Sequence, residues 1–520
     1  MAVWSTGLVA AATVLSAAGT AHAATVRYEA ESAACDGAVA SEHSGFSGSG
    51  FCDTTNSTGA SLQFTVNAPA SGQAQLAVRF ANGSSSARAA NLVVNGSTVQ
   101  SASFQATGAW TSWATQNFTV PLNAGGNTIR LAATGSGGLP NIDYLDVTTD
   151  GGNGDPQPSG DTLYVAPDGQ DGAAGTEAAP TTLTSAISRI APGGTIYLRG
   201  GTYQFSQTVT IPQGSNGTAG DRTRLSAYPG ETPVLNFSAQ SENSANRGLA
   251  VNGSYWHVSG IVVERAGDNG IFVGGSNNIF ERTVTRFNRD SGLQIARATS
   301  STPREQWPAN NLVLSARSHD NADSDGEDAD GFAAKLTSGP GNVFRYSVAH
   351  NNIDDGWDLY TYADEGPIGA VTIEDSLSYG NGTLSDGTQN SSGDRNGYKL
   401  GGEDVPVDHV IRRNIAYDNG RHGFTYNRNP GTMTISGNVS IDSGQRNFNF
   451  DGGTSVFREN VSCFSGDGTN DRIIGSADGS NQFWSGSNGS RCSSYTGTLG
   501  WSFAADGRLV VTFGGRVVTP

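Results

Sequence analysis

The chain has 520 residues, a formal charge of −17 at pH 7 and 71 glycines, and 36% of its residues are hydrophobic. This length suffices for two or more domains, and the composition favours many short strands and turns over helices. The negative charge argues against nucleic acid as a partner, and it disfavours an anionic substrate unless metal ions or a local basic patch reverse the field.

The first residues predict export. A short apolar, alanine-rich run at 8–18 is followed by the small-x-small pattern Ala21-His22-Ala23. This pattern predicts a secretory signal peptide, residues 1–23, cleaved after Ala23, although no Lys or Arg precedes the run. The run is too short to span a bilayer as a stable helix, and no later stretch is predicted to do so. We therefore expect a secreted, extracellular protein without a membrane partner.

The four cysteines fall into two local pairs, Cys35 with Cys52 and Cys463 with Cys492. In an exported protein this spacing predicts two disulfides, and metal ligation by cysteine is not expected.

Residues 24–149 are predicted to form a β-sandwich. Apolar and polar residues alternate in short segments separated by Gly, Asn and Ser turns, at 61–66, 75–80, 90–94 and 127–131. Such alternation is typical of half-buried antiparallel strands. Residues 150–160 are rich in Gly and Pro and contain no large apolar residue, so they predict a linker to a second domain at 161–520.

Three segments of the first domain resemble family 35 carbohydrate-binding modules, close relatives of family 6. They are YEAE at 28–31, FANGS at 80–84 and NIDYL at 141–145. The resemblance implies a jelly-roll sandwich in which Glu29, Glu31 and Asp143 hold a structural calcium, with Asp146 as an alternative to Asp143. The sugar contacts that it implies come from loop residues: Asn82, Asn141 and one of Trp110 and Trp113. For the tryptophans, core packing is an equal alternative.

The second domain contains an internal repeat aligned on glycines. Six successive copies have Gly270, Gly292, Gly331, Gly356, Gly397 and Gly423, which are 22, 39, 25, 41 and 26 residues apart. The residues one and three positions after each glycine are almost all apolar, and the residue between them is mostly polar, so one face of a short strand is buried. The repeat predicts a parallel β-helix, since a β-propeller would need longer repeats with antiparallel hairpins.

Asparagines add to this prediction. Asn288, Asn352 and Asn419 stand four residues before three of the glycines. In stacked coils they would form an internal ladder that satisfies buried backbone amides at the turns.

The repeat also predicts an acidic cluster. Equivalent positions of successive coils lie about 4.8 Å apart, the spacing of neighbouring strands. Counting from the glycines places Asp358 beside Lys399 and Asp330 beside Asp355, with Asp354 next in the chain. Carboxylates this close repel one another unless a cation lies among them, and oxygen ligands suit Ca²⁺. The alternative is a set of surface turn acids with one salt-bridged lysine.

Lysine occurs only at Lys335 and Lys399 among the 30 basic residues. Arginine stays charged, whereas burial and a nearby dication can make a lysine lose its proton, so Lys399 is a candidate Brønsted base. Lys335 is expected to face outward, nearer Tyr360 than the acids, as a contact for a substrate carboxylate. Calcium beside a neutral lysine suits β-elimination from a uronic acid: the metal binds the sugar carboxylate, the lysine takes the C-5 proton and the 4-linked oxygen departs.

Four segments of the second domain resemble the polysaccharide lyase family 9 pectate lyases. They are SHDN at 318–321, DADGFAAKLT at 328–337, NIDDGWDLY at 352–360 and NGYKLGG at 396–402. The resemblance covers roughly residue 163 to the C-terminus and implies a right-handed parallel β-helix. It also implies Lys399 as the base and a catalytic calcium bound by four aspartates: Asp330, Asp354, Asp355 and Asp358.

Arg395 and Arg421 fall in the column beside Asp354 and are candidate clamps for substrate carboxylates. The expected partners are pectate (polygalacturonate) and plant cell-wall polysaccharide, and the expected state is a monomer. The acid-rich loop 320–328 is a weaker candidate for a second calcium; it does not fit the EF-hand spacing, and a solvated loop is favoured.

Three alternatives remain open. A polygalacturonase-like hydrolase would use Asp354, Asp355 and Asp358 with water and no calcium, although the Arg-x-Lys motif of that class is not found. A non-catalytic adhesin would bind calcium only for stability. A lyase of the same type could act on alginate or a glycosaminoglycan.

Overall fold

The computed structural model describes residues 24–68, 72–123, 125–149 and 162–518, which divide into two units, Met1–Gln157 and Pro158–Pro520. The predicted signal peptide, 1–23, and linker, 150–160, lie outside the described residues. Over the ranges that are described, no helix is long and apolar enough to cross a membrane.

The N-terminal unit is a sandwich of two antiparallel sheets, as predicted. One sheet contains Ala24–Glu29, Gly37–Ala40, Phe51–Thr54, Gly72–Ala81, Trp113–Leu122 and Asn141–Thr149. The other contains Ala34–Cys35, Ser61–Ala68, Arg88–Val94, Ser97–Phe104 and Gly125–Ala133, and a 3₁₀ helix covers Ala30–Ser32. Alternate residues of the two sheets, such as Phe64 and Val78, meet in one buried core. The Cys35–Cys52 disulfide forms within this unit.

The C-terminal unit is a parallel β-helix with three sheets. The first contains Thr162–Val165, Thr195–Leu198, Thr223–Ala227, Trp256–Ser259, Ile279–Glu281, Leu312–Leu314, Val343–Arg345, Thr372–Glu374, Val410–Arg412, Thr434–Ser436, Val456–Arg458 and Ser476–Ala477. The second contains Gly201–Gln204, Pro233–Asn236, Val262–Glu264, Val284–Arg286, Arg317–His319, Val348–His350, Leu377–Tyr379, Ile415–Tyr417, Val439–Ser443 and Val461–Ser465.

The third sheet, called the site sheet below, consists of the strands that follow the repeated glycines and their neighbours. It contains Val209–Ile211, Leu249–Val251, Ile271–Val273, Leu293–Ile295, Phe332–Ala334, Trp357–Asp358, Tyr398–Lys399, Phe424–Thr425, Phe448–Phe450 and Arg472–Ile473. An α-helix, Leu183–Arg189, lies near the N-terminal end of the unit, and 3₁₀ helices cover Arg304–Gln306 and Ser490–Ser494. The Cys463–Cys492 disulfide forms in the C-terminal part.

The pairing in the site sheet matches the register predicted from the glycines. Ala333 pairs with Asp358, Asp358 with Lys399, and Lys399 with Thr425. Trp357, Tyr398 and Phe424 point inward, are fully buried and stack with ring centroids 4.9 and 4.5 Å apart. The inward rings bury a continuous apolar column, so the polar residues between them must face outward.

The asparagine ladder is longer than predicted. Asn321 donates to Asn352 at 2.8 Å, and Asn381 donates to Asn419 at 2.9 Å, so Asn321 and Asn381 occupy coils between the predicted members. Counting back from the glycines missed these two, because insertions separate each of them from its glycine. The two long loops, at 322–328 and 382–394, therefore interrupt the repeat without breaking the stack of coils.

The C-terminal residues depart from the predicted β-helix. The strands Leu499–Phe503, Leu509–Phe513 and Arg516–Val518 form a separate antiparallel sheet. Side chains of this sheet, including Val511 and Phe513, pack against residues of the second sheet such as Leu377 and Val439. The sheet covers apolar residues on the outside of the coils, which the glycine repeat did not predict.

Candidate active site

A groove of about 320 Å³ lies over the middle of the site sheet. Both lysines of the chain line it, together with Asp354, Asp358 and Asp394. One wall comes from the loop at 322–328 and its continuation, and another from the loop at 382–394. The strands supply the floor, and the two insertions supply the walls.

Three aspartates come together as the repeat predicted, and one of them, Asp354, lines this groove. One carboxylate oxygen from each of Asp330, Asp354 and Asp355 lies within 4.8 Å of the others, and all three residues are buried. Asp330 Oδ1 accepts a hydrogen bond from the Asp355 amide at 3.3 Å, and Asp355 Oδ1 accepts one from Asn396 Nδ2 at 2.9 Å. Asp355 Oδ2 is buried without a hydrogen-bond partner.

The electrostatics of this cluster are unfavourable without a cation. Burial, reinforced by the neighbouring aspartates, raises the pKa of Asp354 and Asp355 well above the ordinary range. Burial also raises the pKa of Asp330 to about 7, even though Lys335 opposes the shift. The positive charges of Lys335 and Lys399 offset this effect only in part. An all-oxygen set with an unsatisfied buried oxygen therefore fits a hard cation such as Ca²⁺.

Asp358 stands at the edge of this group. Its Oδ1 accepts a hydrogen bond from the Tyr360 amide at 2.8 Å. Its Oδ2 lies 3.4 Å from Lys335 Nζ and 3.7 Å from Lys399 Nζ, so Asp358 is shared by the two lysines. Its predicted role as a fourth calcium ligand stays a prediction.

Lys399 projects from the coil that follows the acidic one. Its Nζ lies 3.0 Å from Asp394 Oδ2, 3.4 Å from Asp355 Oδ2 and 5.3 Å from the centre of the Tyr360 ring. Burial by itself would lower the pKa of Lys399, but the aspartates, led by Asp358, outweigh it and raise the pKa well above the usual value. The state of these carboxylates therefore determines the charge of Lys399.

Lys335 lies within the acidic cluster, so its predicted position nearer Tyr360 than the acids was wrong. Its Nζ is 2.7 Å from Asp330 Oδ2 and 3.4 Å from Asp358 Oδ2. The strand Phe332–Ala334 ends just before it, and Leu336 has a left-handed backbone with φ of 65°. Because the chain turns here, Lys335 does not follow the alternation of the strand.

The two candidate arginine clamps differ in their surroundings. Arg421 Nη1 lies 2.8 Å from Asp394 Oδ1, at the border of the groove. The Arg395 amide donates to Asp354 Oδ1 at 3.0 Å, whereas its side chain packs over Gly382 and Gly420. Arg395 thus supports a candidate metal ligand through its backbone, and its side chain does not line this groove.

Asp394 is a functional candidate that the sequence did not reveal. Its carboxylate bridges Lys399 and Arg421, and its amide donates to Asp354 Oδ1. It belongs to the insertion at 382–394, which has no counterpart in the other coils. A residue in such a loop has no register, so the repeat could not place it.

Two acidic side chains of the loop 320–328 accept hydrogen bonds from backbone amides. Asp323 Oδ2 accepts hydrogen bonds from the amides of Gly326 and Glu327, and Asp320 Oδ1 accepts one from the Ser385 amide. These bonds stabilise turns. Asp323 Oδ1 is buried without a hydrogen-bond partner, so the choice between a loop and a second calcium site stays a prediction.

In the N-terminal unit, the predicted calcium ligands cluster around one serine-containing turn. Ser47 Oγ donates to Glu29 at 2.8 Å, and its amide donates to Asp143 at 2.9 Å. Glu31 Oε1 accepts from the Ser49 amide at 2.7 Å, whereas Glu31 Oε2 is buried without a hydrogen-bond partner. Burial raises the pKa of Glu29, and the charges of Glu31 and Asp143 add to this effect.

Asp143 and Asp146 are separated by the backbone. The register between Asn141–Thr149 and Gly72–Ala81 shifts at Asp143, which is buried and paired with Arg79. Asp146 instead forms a two-point ion pair with Arg27, with N–O distances of 2.8 and 2.9 Å. Asp143, not its alternative Asp146, therefore lies with the glutamates.

The structure does not support all of the predicted sugar contacts. Asn82 is fully buried, and its amide nitrogen donates to the carbonyls of Ser86 and Phe104, each at 3.0 Å. It shapes the loop and offers no surface to a sugar, so the structure argues against this assignment. Asn141 is only 4% exposed. Trp113 contacts the Phe51 ring and donates to the Ser44 carbonyl, but it is half-buried and lies outside the core cluster, so its sugar contact stays a prediction.

Two family models match this chain. The model of the Pel9A-like, right-handed β-helix region matches residues 163–460, and that of the family 35 carbohydrate-binding module matches residues 26–149. The fold and the site thus define a β-helical polysaccharide lyase with a carbohydrate-binding module. The chain belongs to the Pel9A-like family, which confirms both resemblances found in the sequence.

Relatives and one solved structure agree with this assignment. Pectate lyase L of Paenibacillus polymyxa (strain SC2) is 52% identical over 323 residues, covering 62% of this chain and 72% of that protein. Pectate lyase L of Thermoclostridium stercorarium is 43% identical over 293 residues, covering 56% of this chain and 23% of that protein. The crystal structure of pectate lyase Pel9A matches with a TM-score of 0.56 at 32% identity, covering 64% of this chain and 82% of that chain.

Proposed function

We propose that this chain is a secreted, monomeric, calcium-dependent pectate lyase that cleaves polygalacturonate by β-elimination. The observation that carries the proposal is the parallel register, which sets Asp358 beside Lys399 in a groove with three clustered carboxylates. The names of the relatives, pectate lyases, support the choice of substrate.

The residues proposed to hold calcium are four aspartates: Asp330, Asp354, Asp355 and Asp358. The strongest support is Asp355 Oδ2, which is buried, accepts no hydrogen bond and has only the ion-pair contact with Lys399 Nζ at 3.4 Å, because a buried carboxylate oxygen without a hydrogen bond is costly. Bound there, calcium would supply positive charge to the uronate carboxylate and so acidify the adjacent C-5 hydrogen.

Lys399 is the proposed base. Once the neighbouring carboxylates share their charge with a cation, they raise the pKa of Lys399 less, and burial, which lowers that pKa, gains weight. Lys399 Nζ then accepts the C-5 proton, and the C–H electron pair becomes the C-4=C-5 double bond. The C-4–O bond breaks, and the departing oxygen keeps its electron pair and is protonated by solvent.

Lys335 and Arg421 are proposed to bind substrate carboxylates. Lys335 Nζ faces the groove from the side of Asp330, and Arg421 lies at the opposite border beyond Asp394. Both cations offset part of the chain's negative charge where an anionic polymer must approach.

Export and polysaccharide attachment complete the proposal. Both predicted disulfides are formed, which supports maturation in an oxidising compartment. The family 35 module is proposed to hold plant cell-wall polysaccharide, and by analogy with the lyase its ligand is a uronic acid.

The deciding experiment incubates the protein with polygalacturonate, with calcium or with a chelator, and follows the ultraviolet absorbance of the unsaturated product. We expect absorbance that requires calcium and rises towards alkaline pH, because the lysine must be deprotonated. Reducing ends without absorbance would indicate a hydrolase, and neither signal would indicate an adhesin. Absorbance only with alginate or a glycosaminoglycan would change the substrate.

A further inference from the structure

A second groove, of about 160 Å³, adjoins the active-site groove and shares Asp394 with it. It is called the arginine groove here, and its lining includes Arg421, Asn427, Arg428 and Asn449. The strand register shows on which side of Lys399 the arginine groove lies. Lys399 pairs with Thr425, and Thr425 pairs with Asn449, so the arginine groove lies over the coils that follow Lys399.

Arg428 lies in a left-handed turn and faces solvent. Asn427 and Arg428 have consecutive positive φ values of 41° and 60°, and Asn427 Nδ2 donates to the Gly401 carbonyl at 2.7 Å. The Arg428 side chain is 59% exposed and is anchored on one side by Asp404. Its remaining donors are free to meet a ligand.

Arg421 adds a second guanidinium to the same groove. Its side chain is 43% exposed, and Asp394 orients it through Nη1. His422 contributes no charge at neutral pH, because burial lowers its pKa to about 4. The two guanidinium groups are therefore the cations of the groove, and guanidinium binds carboxylate in a fixed two-point geometry.

On the other side of Lys399, the coils that precede it in the site sheet present different side chains. Preceding coils place Ala250, Phe272 and Gln294 in register with Ala333. Ala250, Phe272 and Ala296 form a small apolar cluster, and the Arg247 guanidinium lies 3.4 Å above the Phe272 ring. On the N-terminal side, Arg247 is 29% exposed, packs on Phe272 and is paired with Asp268, whereas Arg421 and Arg428 on the C-terminal side are 43% and 59% exposed. A polyanion that crosses the coils would therefore meet the more exposed cations on the C-terminal side of the base.

We infer that the arginine groove is a subsite that binds a free uronate carboxylate beyond the cleaved bond, with Arg428 as its main contact and Arg421 as the second. The inference rests on the proposed function, and it deepens it by placing an additional carboxylate subsite over the coils that follow Lys399.

The test compares Arg428→Ala with Arg508→Ala. Arg508 is similarly exposed, at 67%, is paired with an aspartate, and lies in the turn between two strands of the separate C-terminal sheet. Arg428→Ala should raise KM for polygalacturonate about five- to tenfold and leave kcat within twofold, whereas Arg508→Ala should match wild type. The KM effect should shrink on pectins of increasing methyl esterification and on oligomers too short to reach the groove.

Asp404→Asn should change KM in the opposite direction. It removes the competing carboxylate from Arg428, so KM should fall, by about twofold. Melting temperatures of all variants check that they fold. A wild type that does not cleave polygalacturonate overturns the proposed function. A wild type that cleaves it, with Arg428→Ala equal to Arg508→Ala on every substrate, overturns the subsite alone.

Discussion

The chain contains two carboxylate clusters, one in each unit, and they are assembled differently. In the β-helix, Asp330, Asp354 and Asp355 come from successive coils of one parallel sheet and face two lysines. In the sandwich, Glu29 and Asp143 come from paired strands and meet at a register shift. Each cluster has one buried carboxylate oxygen without a hydrogen-bond partner, on Asp355 and on Glu31.

The difference between the clusters is in what surrounds the acids. The β-helix cluster opens into a groove beside a buried lysine, whereas Asp143 in the module is paired with Arg79, and arginine is a poor base. Similar oxygen sets can thus serve chemistry in one unit and stability in the other. Variants that affect only turnover or only calcium-dependent stability separate these two roles.

The largest effect is expected from Lys399→Ala. Loss of a general base should lower kcat on polygalacturonate on the order of 10³-fold. Lys399→Arg is the matched variant, because it keeps the positive charge beside Asp355 and Asp394 and cannot act as a base at ordinary pH. It should be equally inactive with a melting temperature near that of wild type. Turnover retained in Lys399→Arg would transfer the role to another residue, with Lys335 the first to test.

The next largest effect is expected from Asp355→Asn, which removes the negative charge of a carboxylate whose Oδ2 is buried without a hydrogen bond. Activity should fall about 100-fold or more, and calcium should no longer raise the melting temperature of the β-helix. In wild type, calcium at a hundred times its Kd should stabilise this unit by about 2.7 kcal/mol. Asp506→Asn, at an exposed aspartate, is the control and should keep the calcium response. An unchanged calcium response in Asp355→Asn contradicts the assignment.

Buried histidines should make the β-helix sensitive to acid. Burial lowers the pKa of His409 and of His350 to about 3, against about 6.5 in the unfolded chain. Their contribution is complete above pH 6.5 and is lost as the pH falls towards 3, because the unfolded chain then binds protons that the native state excludes. Each histidine should cost about 1.4 kcal/mol per pH unit in this window.

Denaturant unfolding at pH 7, 6 and 5 measures this slope. In wild type, the Val371 amide donates a hydrogen bond to His409 Nδ1 at 3.1 Å. His409→Asn keeps an acceptor for this amide and should make the dependence of unfolding free energy on pH shallower. A slope equal to that of wild type would contradict the expected role of His409.

The smallest effect is expected from Glu31→Gln in the module. Calcium-dependent stabilisation of the sandwich transition should be lost in calorimetry of the full chain, while kcat on soluble polygalacturonate stays unchanged. Asp146→Asn is the control: it breaks only a partly exposed ion pair with Arg27, worth less than about 1 kcal/mol, and should keep the calcium response. If calcium still stabilises the sandwich in Glu31→Gln, Glu31 is not a ligand of a structural calcium in the module.

The sequence determined the β-helix and the centre of its site because a parallel stack repeats with a constant register. Glycine counting placed Asp358 beside Lys399 and Asp330 beside Asp355, and the inward apolar positions identified the core. In the sandwich, the same alternation predicted strands but not which strands pair. The identity of the module's cluster therefore came from the resemblance rather than from spacing.

Only the tertiary structure decided what lies outside the repeat. Asp394 and the arginine groove depend on loops and turns without register, Lys335 depends on a left-handed turn after its strand, and Asn82 is buried by contacts distant in sequence. Residues of a regular coil are positioned by backbone hydrogen bonds that repeat, so their neighbours follow from counting. Loop residues are positioned by side-chain contacts that occur once, and these become visible only when the chain is folded.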